Sequence, residues 1–268
     1  MLFMRMPLLL VLLAATVAGS EVKDAPVEMP ATFFDAAKHP WARFGVGSFA
    51  VAKHKVFIGK GLQSAQTATV ELTEIKSGVC TVAVYEGEGS KKKKVGTMRY
   101  ALVAPECILV DANLSGNLFH GGGPSLLQAA VKQPKAIGQE TVEAAGKQYA
   151  CAMYEIEEHD GMVKQSAVTA AGLRVRTITG TKNDQGQIEE PLIELLTKVD
   201  VVLSGGGKKI RCHVYQREDP ILGEKMVTWL SLDIPGGVVR AETVSKDESG
   251  TEVRDTFEIV EWKVVDKK

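Results

Sequence analysis

Four phrases in the chain hold residues of the kind that chemistry uses. His120-Gly121-Gly122-Gly123 has the spelling of an esterase oxyanion loop, in which backbone N–H groups point at a developing negative charge. That loop works only beside a nucleophile on a Gly-x-Ser-x-Gly turn, and the chain contains no such turn. A hydrolase using His120 is therefore the remotest reading, and the glycines serve as a flexible lead into a short helix. Glu155, Glu157 and His159 recur at two-residue spacing with Asp160 beside them, a set of hard and borderline ligands for a divalent metal. The matching positions downstream are Gln216 and Glu218 with no histidine, and Asp160-Gly161 closes the segment, so the charges read as a solvated strand end. Asn113-Leu114-Ser115 is a glycosylation sequon, meaningful only in a eukaryotic secretory pathway. Gly59-Lys60-Gly61 lacks the third glycine and the helix of a dinucleotide fingerprint. The histidines are scattered and no Cys-x-x-Cys occurs. These residues nominate no catalytic, metal or cofactor-binding site, and no cofactor.

Residues 1–20 read as a secretory signal peptide. Arg5 supplies the positive start, Leu8 to Val17 is uncharged and apolar, and Thr16-Val17-Ala18 or Ala18-Gly19-Ser20 offers small residues for cleavage. The run is shorter than the roughly 20 apolar residues that cross a bilayer, and no cysteine follows for lipid attachment. The expectation is an exported protein, periplasmic or extracellular, with no membrane-spanning segment after cleavage. About 248 residues then remain, enough for one large β domain or two smaller ones. Lys plus Arg number 32 against 33 for Asp plus Glu. That balance argues against nucleic acid, which demands a basic face. The dense basic run, Lys91 to Lys94, reads as a solvated hairpin tip.

The elements that must position these residues are written twice. Gly146-Lys147 through Cys151 to Tyr154 matches Gly207-Lys208 through Cys212 to Tyr215 at an offset of 61. Gly172 to Arg176 answers Gly237 to Arg240, and Lys198-Val199-Asp200 answers Lys263 to Asp266. A copy this long is a repeated supersecondary unit. The chain divides into a leader and short helix over 21–43, a first β block over 44–110, a loop-and-helix insert over 111–135, and β repeats over 136–200 and 201–268. The insert's helix runs from Pro124 to Lys132, with proline at its start and Pro134 beyond its end; the earlier one spans Thr32 to Lys38. The expected fold is mainly β, with about a dozen antiparallel strands in two or three meander repeats and one or two short helices.

Cys151 and Cys212 hold equivalent places, so a meander sets them about four strand spacings of ~4.8 Å apart. A disulfide tolerates Cα atoms only to roughly 7 Å, and both thiols are expected to be free and buried. Ala150, Ala152, Tyr154 and Ile156 make the second face of the Cys151 strand apolar too. A strand apolar on both faces must be covered twice, and the helix from Ser125 is the nearest cover.

Trp229-Leu230-Ser231 followed by Ile234-Pro235-Gly236-Gly237-Val238-Val239-Arg240 predicts a strand, a Pro-Gly-Gly reversal and a returning strand. Trp229 is expected to be buried and Gly236-Gly237 exposed. In an exported chain of about a dozen antiparallel strands, this phrase resembles the periplasmic lipoprotein-carrier (LolA/LolB-like) superfamily. The resemblance covers Glu140 to Lys268. It implies a strongly curved, incompletely closed sheet with helices over its apolar side, and binding of acyl chains. The reading is an exported, non-enzymatic β-repeat protein that binds a lipid or another apolar small molecule. The alternative is an envelope-associated structural or interaction module with another envelope protein as its partner.

Overall fold

The computed structural model describes residues 39–102, 108–114, 134–157 and 161–267. The two expected helices and the signal peptide lie outside these residues, as do His120 to Gly123, His159 and Asp160. Fourteen strands form one antiparallel sheet: β1 Phe49–Ile58, β2 Gly61–Lys76, β3 Val79–Glu86, β4 Lys93–Ala101, β5 Ile108–Leu114, β6 Lys135–Ala144, β7 Lys147–Glu157, β8 Met162–Thr169, β9 Arg174–Lys182, β10 Ile188–Gly205, β11 Lys208–Glu218, β12 Lys225–Leu230, β13 Val238–Lys246 and β14 Glu252–Lys263. The mainly β expectation holds. A 3-10 turn, Gly89–Lys91, sits between β3 and β4.

The order across the sheet is β5-β4-β3-β2-β1-β14-β13-β12-β11-β10-β9-β8-β7-β6. The described strands therefore run from the middle of the sheet out to one edge, resume at the other edge and meander back. The seam is β1 against β14, with Phe49 opposite Lys263 and Ile58 opposite Val253. Strand pairing also runs into the segment read as a loop insert. Asp111 and Asn113 look like turn residues, yet they stand opposite Arg99 and Thr97 in β5. Among the described residues this outermost strand pairs on one side only, which eases the demand for strong strand formers.

The repeat has a geometric signature. Three two-residue hairpins share one backbone form: Ser77-Gly78 after β2, Ala145-Gly146 after β6 and Gly206-Gly207 after β10. Their φ angles are 51° and 74°, 49° and 70°, and 52° and 74°. Two successive left-handed residues define the hairpin turn that suits the twist of β-strands. The Ser77-Gly78 hairpin brings the first β block into the pattern. The β9–β10 and β13–β14 turns are also duplicates. Asn183 Oδ1 accepts from the backbone N–H groups of Gln185 and Gln187, and Asp247 Oδ1 accepts from those of Ser249 and Thr251.

The sheet rolls up. Val142 and Ala144 of β6 share a cluster with Leu196 of β10 and Tyr215 of β11, four and five strands away in the order. Ile210 and Cys212 of β11 likewise meet Ala50 and Ala52 of β1 and Ile259 of β14. One end is plugged. Trp41 packs on Leu72, Cys80 and Val82, and Ile234, fully buried, enters the cluster over β1 and β14.

Here the Pro-Gly-Gly expectation needs correction. Gly236 and Gly237 have φ of 84° and 79°, as the reversal demands, but Gly237 is buried and Gly236 half-buried. The reason is the segment before β1. Gly236 donates its N–H to the Pro40 carbonyl, and added Cβ atoms would meet the Trp41 ring at 2.9 Å and Pro40 Cβ at 3.1 Å. Trp229, expected to be buried, is only half-buried, with the Arg240 guanidinium 5.1 Å over its ring.

Candidate functional site

Strand β7 is the element on which the two sides of the sheet diverge. Alternation sends Tyr149, Cys151 and Met153 to one face, and Cys151 and Met153 are buried in the cluster shared with β6 and β8. On the other face Tyr154 and Ile156 are 4 % and 2 % exposed, while Ala150 is exposed and Ala152 half-buried. Double coverage is thus confined to the second half of the strand. Tyr154 stands opposite Ser166, Ser166 opposite Thr177, and Thr177 opposite Glu194. Direct opposition places side chains on one face, so these four form a row across β7 to β10. Ser166 and Thr177 are buried as well. Glu194 is paired with Arg174 at 2.6 Å, and the Arg174 guanidinium lies 4.6 Å over the ring of Tyr215, whose hydroxyl donates to the Arg174 carbonyl. The second face of β7 therefore continues sideways through Ser166 and Thr177, both buried, to Glu194, whose carboxylate Arg174 neutralises.

Glu155, from the metal phrase, is committed elsewhere. It accepts from Lys182 Nζ at 2.6 Å and from Gln165 Nε2 at 2.8 Å. Burial raises its pKa, but those hydrogen bonds and the Lys182 and Lys135 charges outweigh it and hold the carboxyl below its ordinary value. Among the described residues no group of three His, Cys, Asp or Glu side chains is placed to hold a metal ion.

The thiols are inert in this conformation. Cys80, Cys151 and Cys212 are free and buried; Cys151 and Cys212 are separated by the four strand spacings that the repeat predicts. Each donates to the carbonyl two residues before it, Tyr149 and Ile210 respectively. Burial pushes Cys80 up to about 12 and Cys151 and Cys212 up to about 11. A nucleophilic thiolate is thereby disfavoured.

A second feature was not visible in the sequence. On the face of β14, β1 and β2 away from the plugged core, beside the turn after β3, runs an open groove of about 420 Å³, lined by Phe49, Val51, Thr69 and Val260 together with Lys53, Glu88, Lys92 and Glu261. Strand register builds it. Glu261, Val51, Thr69 and Tyr85 stand opposite one another in succession, and Phe49 stands opposite Glu71. The turn after β3 folds over this surface. Gly87 donates its N–H to the Thr67 carbonyl, Thr67 Oγ1 donates to Glu88, and Lys53 Nζ lies 3.4 Å from Glu88. The basic run is exposed, as its sequence suggests, but Lys92 turns back. Its ammonium lies 4.1 Å over the Tyr85 ring, 5.9 Å from the Phe49 ring and 3.9 Å from Glu71. A run of four lysines gave no hint that one would find such partners.

Among the described residues no helix is long and apolar enough to cross a membrane, a statement that leaves strand-built membrane proteins aside. No family model and no curated protein matches the chain. Solved structures do. The chain is similar to a LolA superfamily protein from Nitrosomonas europaea, at 9 % identity and a TM-score of 0.39 over 87 % of this chain and 93 % of that one. It is similar also to a putative outer membrane lipoprotein-sorting protein domain from Vibrio parahaemolyticus, at 7 % identity and 0.33 over 82 % and 86 %. A DUF1329 family protein from Desulfovibrio piger matches at 9 % identity and 0.32 over 81 % and 85 %. The likeness to these structures is weak and concerns the fold alone.

Proposed function

We propose that this chain is an exported, non-catalytic β-sheet protein of the cell envelope that carries an apolar ligand, an acyl chain being the simplest, against the face of β7 to β9 that holds Tyr154 and Ile156. The carrying observation is that the second half of this strand is apolar on both sides, Cys151 and Met153 on one and Tyr154 and Ile156 on the other, so that each side calls for a cover. A rolled sheet of this kind offers a long apolar wall whose hydrogen-bonded strands resist collapse. Native mass spectrometry of the protein purified from its own cells tests the reading. A retained adduct of lipid mass is expected, reduced by Ile156→Asn. The bare mass alone, under conditions that preserve a known lipid complex, overturns it.

A second reading, an envelope interaction module, draws on a different place. Ile221 and Leu222 at the β11–β12 turn are 65 % and 71 % exposed, and Asp219 Oδ1 accepts from both of their N–H groups. The turn displays two aliphatic side chains in a fixed conformation. Under this reading the purified mass is bare, and photo-crosslinking from position 222 in cells captures one defined partner that Ile221→Glu abolishes.

A further inference from the structure

The seat that holds Lys92 has the composition of an ammonium-binding site. A cation over aromatic faces is attracted by their negative π-density, and aromatic walls are the usual means of recognising alkylated ammonium groups. Elsewhere Lys208 lies over Trp262 and Arg240 over Trp229, one ring each. Lys92 alone among these cations meets two rings and a carboxylate together: Tyr85, Phe49 and Glu71. These three come from adjacent strands in fixed register, so the seat stands without the lysine. The lysine is a visitor from the turn over the sheet, and its side chain is one-third exposed. Phe49 is also part of the wall of the open groove, where Val51 and Val260 extend an apolar floor away from the seat.

We infer that this groove binds an amphiphile bearing an organic ammonium group, with the cation in the Tyr85–Phe49–Glu71 seat, the alkyl part along Val51 and Val260, and Lys92 as an internal competitor that the ligand displaces. A tethered group competes at an effective concentration in the millimolar range or above. Removing it therefore strengthens external binding without any new contact. The floor adds affinity only for ligands with an alkyl tail, so choline binds more weakly than hexyltrimethylammonium.

The experiment is an NMR titration of the full mature chain with hexyltrimethylammonium and with choline. Wild type, Lys92→Met, and Lys92→Met combined with Tyr85→Leu or with Glu71→Gln are compared. Lys92→Met is expected to bind hexyltrimethylammonium at least about tenfold more tightly than wild type, with amide shifts centred on Phe49, Val51 and Val260. Either second substitution should return the affinity to wild-type level or below. Two are used because one of them can disturb the fold, which the amide spectrum reports. Co-sedimentation of Lys92→Met with phosphatidylcholine vesicles, beside binding of the free ion, identifies a lipid headgroup as the source; binding of the free ion alone identifies a soluble ammonium. Either outcome upholds the seat. Equal affinity of wild type and Lys92→Met, or tighter binding that survives both Tyr85→Leu and Glu71→Gln, overturns it.

Discussion

Gly237→Val tests how the Pro-Gly-Gly loop and the segment before β1 hold each other. Gly237 has φ +79°, and a Cβ there would lie 3.1 Å from Pro40 Cβ and 3.4 Å from Pro40 Cγ. Two costs add. A β-branched residue in the left-handed region is strained by about 1–3 kcal/mol. The contact is tighter than ordinary van der Waals packing and must push Pro40 outward, at about another 1 kcal/mol on the scale of overpacking. The sum is about 2–4 kcal/mol, which for a protein of this size lowers the melting midpoint by roughly 5–15 °C. Gly146→Val supplies the control. Gly146 has φ +70° and nothing within 4 Å of an added Cβ, so it carries the strain without the contact. Thermal melts by circular dichroism should place Gly237→Val below Gly146→Val, with both below wild type. If Gly237→Val melts with or above Gly146→Val, Pro40 and Trp41 are not seated on the loop, and the plugged end of the sheet is wrong. An unchanged midpoint for both would remove the left-handed turns themselves.

Two further outcomes rest on the same geometry. Ala145 occupies the first left-handed position of its hairpin at φ 49°, where the equivalent residue in the next repeat is Gly206; Ala145→Asn should raise stability by about 0.5–1 kcal/mol, read from denaturant midpoints, because asparagine tolerates that conformation. Lys182→Met leaves Glu155 largely buried with the Gln165 hydrogen bond and the Lys135 charge and should cost about 1–3 kcal/mol at neutral pH. Glu155 is held below its ordinary value, so its contribution is present above the unfolded-state pKa and is lost as pH falls through the folded one. The gap between wild type and Lys182→Met should therefore narrow in acid, and a gap independent of pH would mean that the loss is one of packing.

The strands were legible because their signals are local. Alternation, glycine pairs and the Asn183 and Asp247 turns mark where a β-strand starts and stops, and the 61-residue offset placed Cys151 and Cys212 on equivalent strands. The order of the strands was not legible. Nothing near Phe49 announces that its neighbour is Lys263, because that pairing is set by closure of the whole meander rather than by any nearby residue. Strand β5 was hidden by Asp111 and Asn113, poor strand formers that nonetheless pair with Arg99 and Thr97 of β4. The Pro-Gly-Gly turn was read correctly in its backbone and wrongly in its exposure, since its cover comes from Pro40 and Trp41, almost two hundred residues earlier.

The same distinction governs the sites. The double burial of β7 could be read from one strand, because Cys151 and Met153 alternate with Tyr154 and Ile156 within it. The ammonium seat could not, since its parts lie on β1, β2, β3 and the turn after β3, and only pairing of Phe49 with Glu71 and of Thr69 with Tyr85 draws them together. The face of each residue is set locally, but the neighbour on that face is set by topology. Lys92 shows the consequence: within its run it differs in no way from Lys91, Lys93 or Lys94, and it acquires a role only because the turn folds over a surface that three other strands have built. A chain of meander repeats can thus keep its architecture through turns and alternation while leaving each broad face free to differ. The binding properties of this protein are therefore to be sought in what each broad face gathers from several strands, Tyr85 and Phe49 on one side of the seam and Tyr154 and Ile156 on the other.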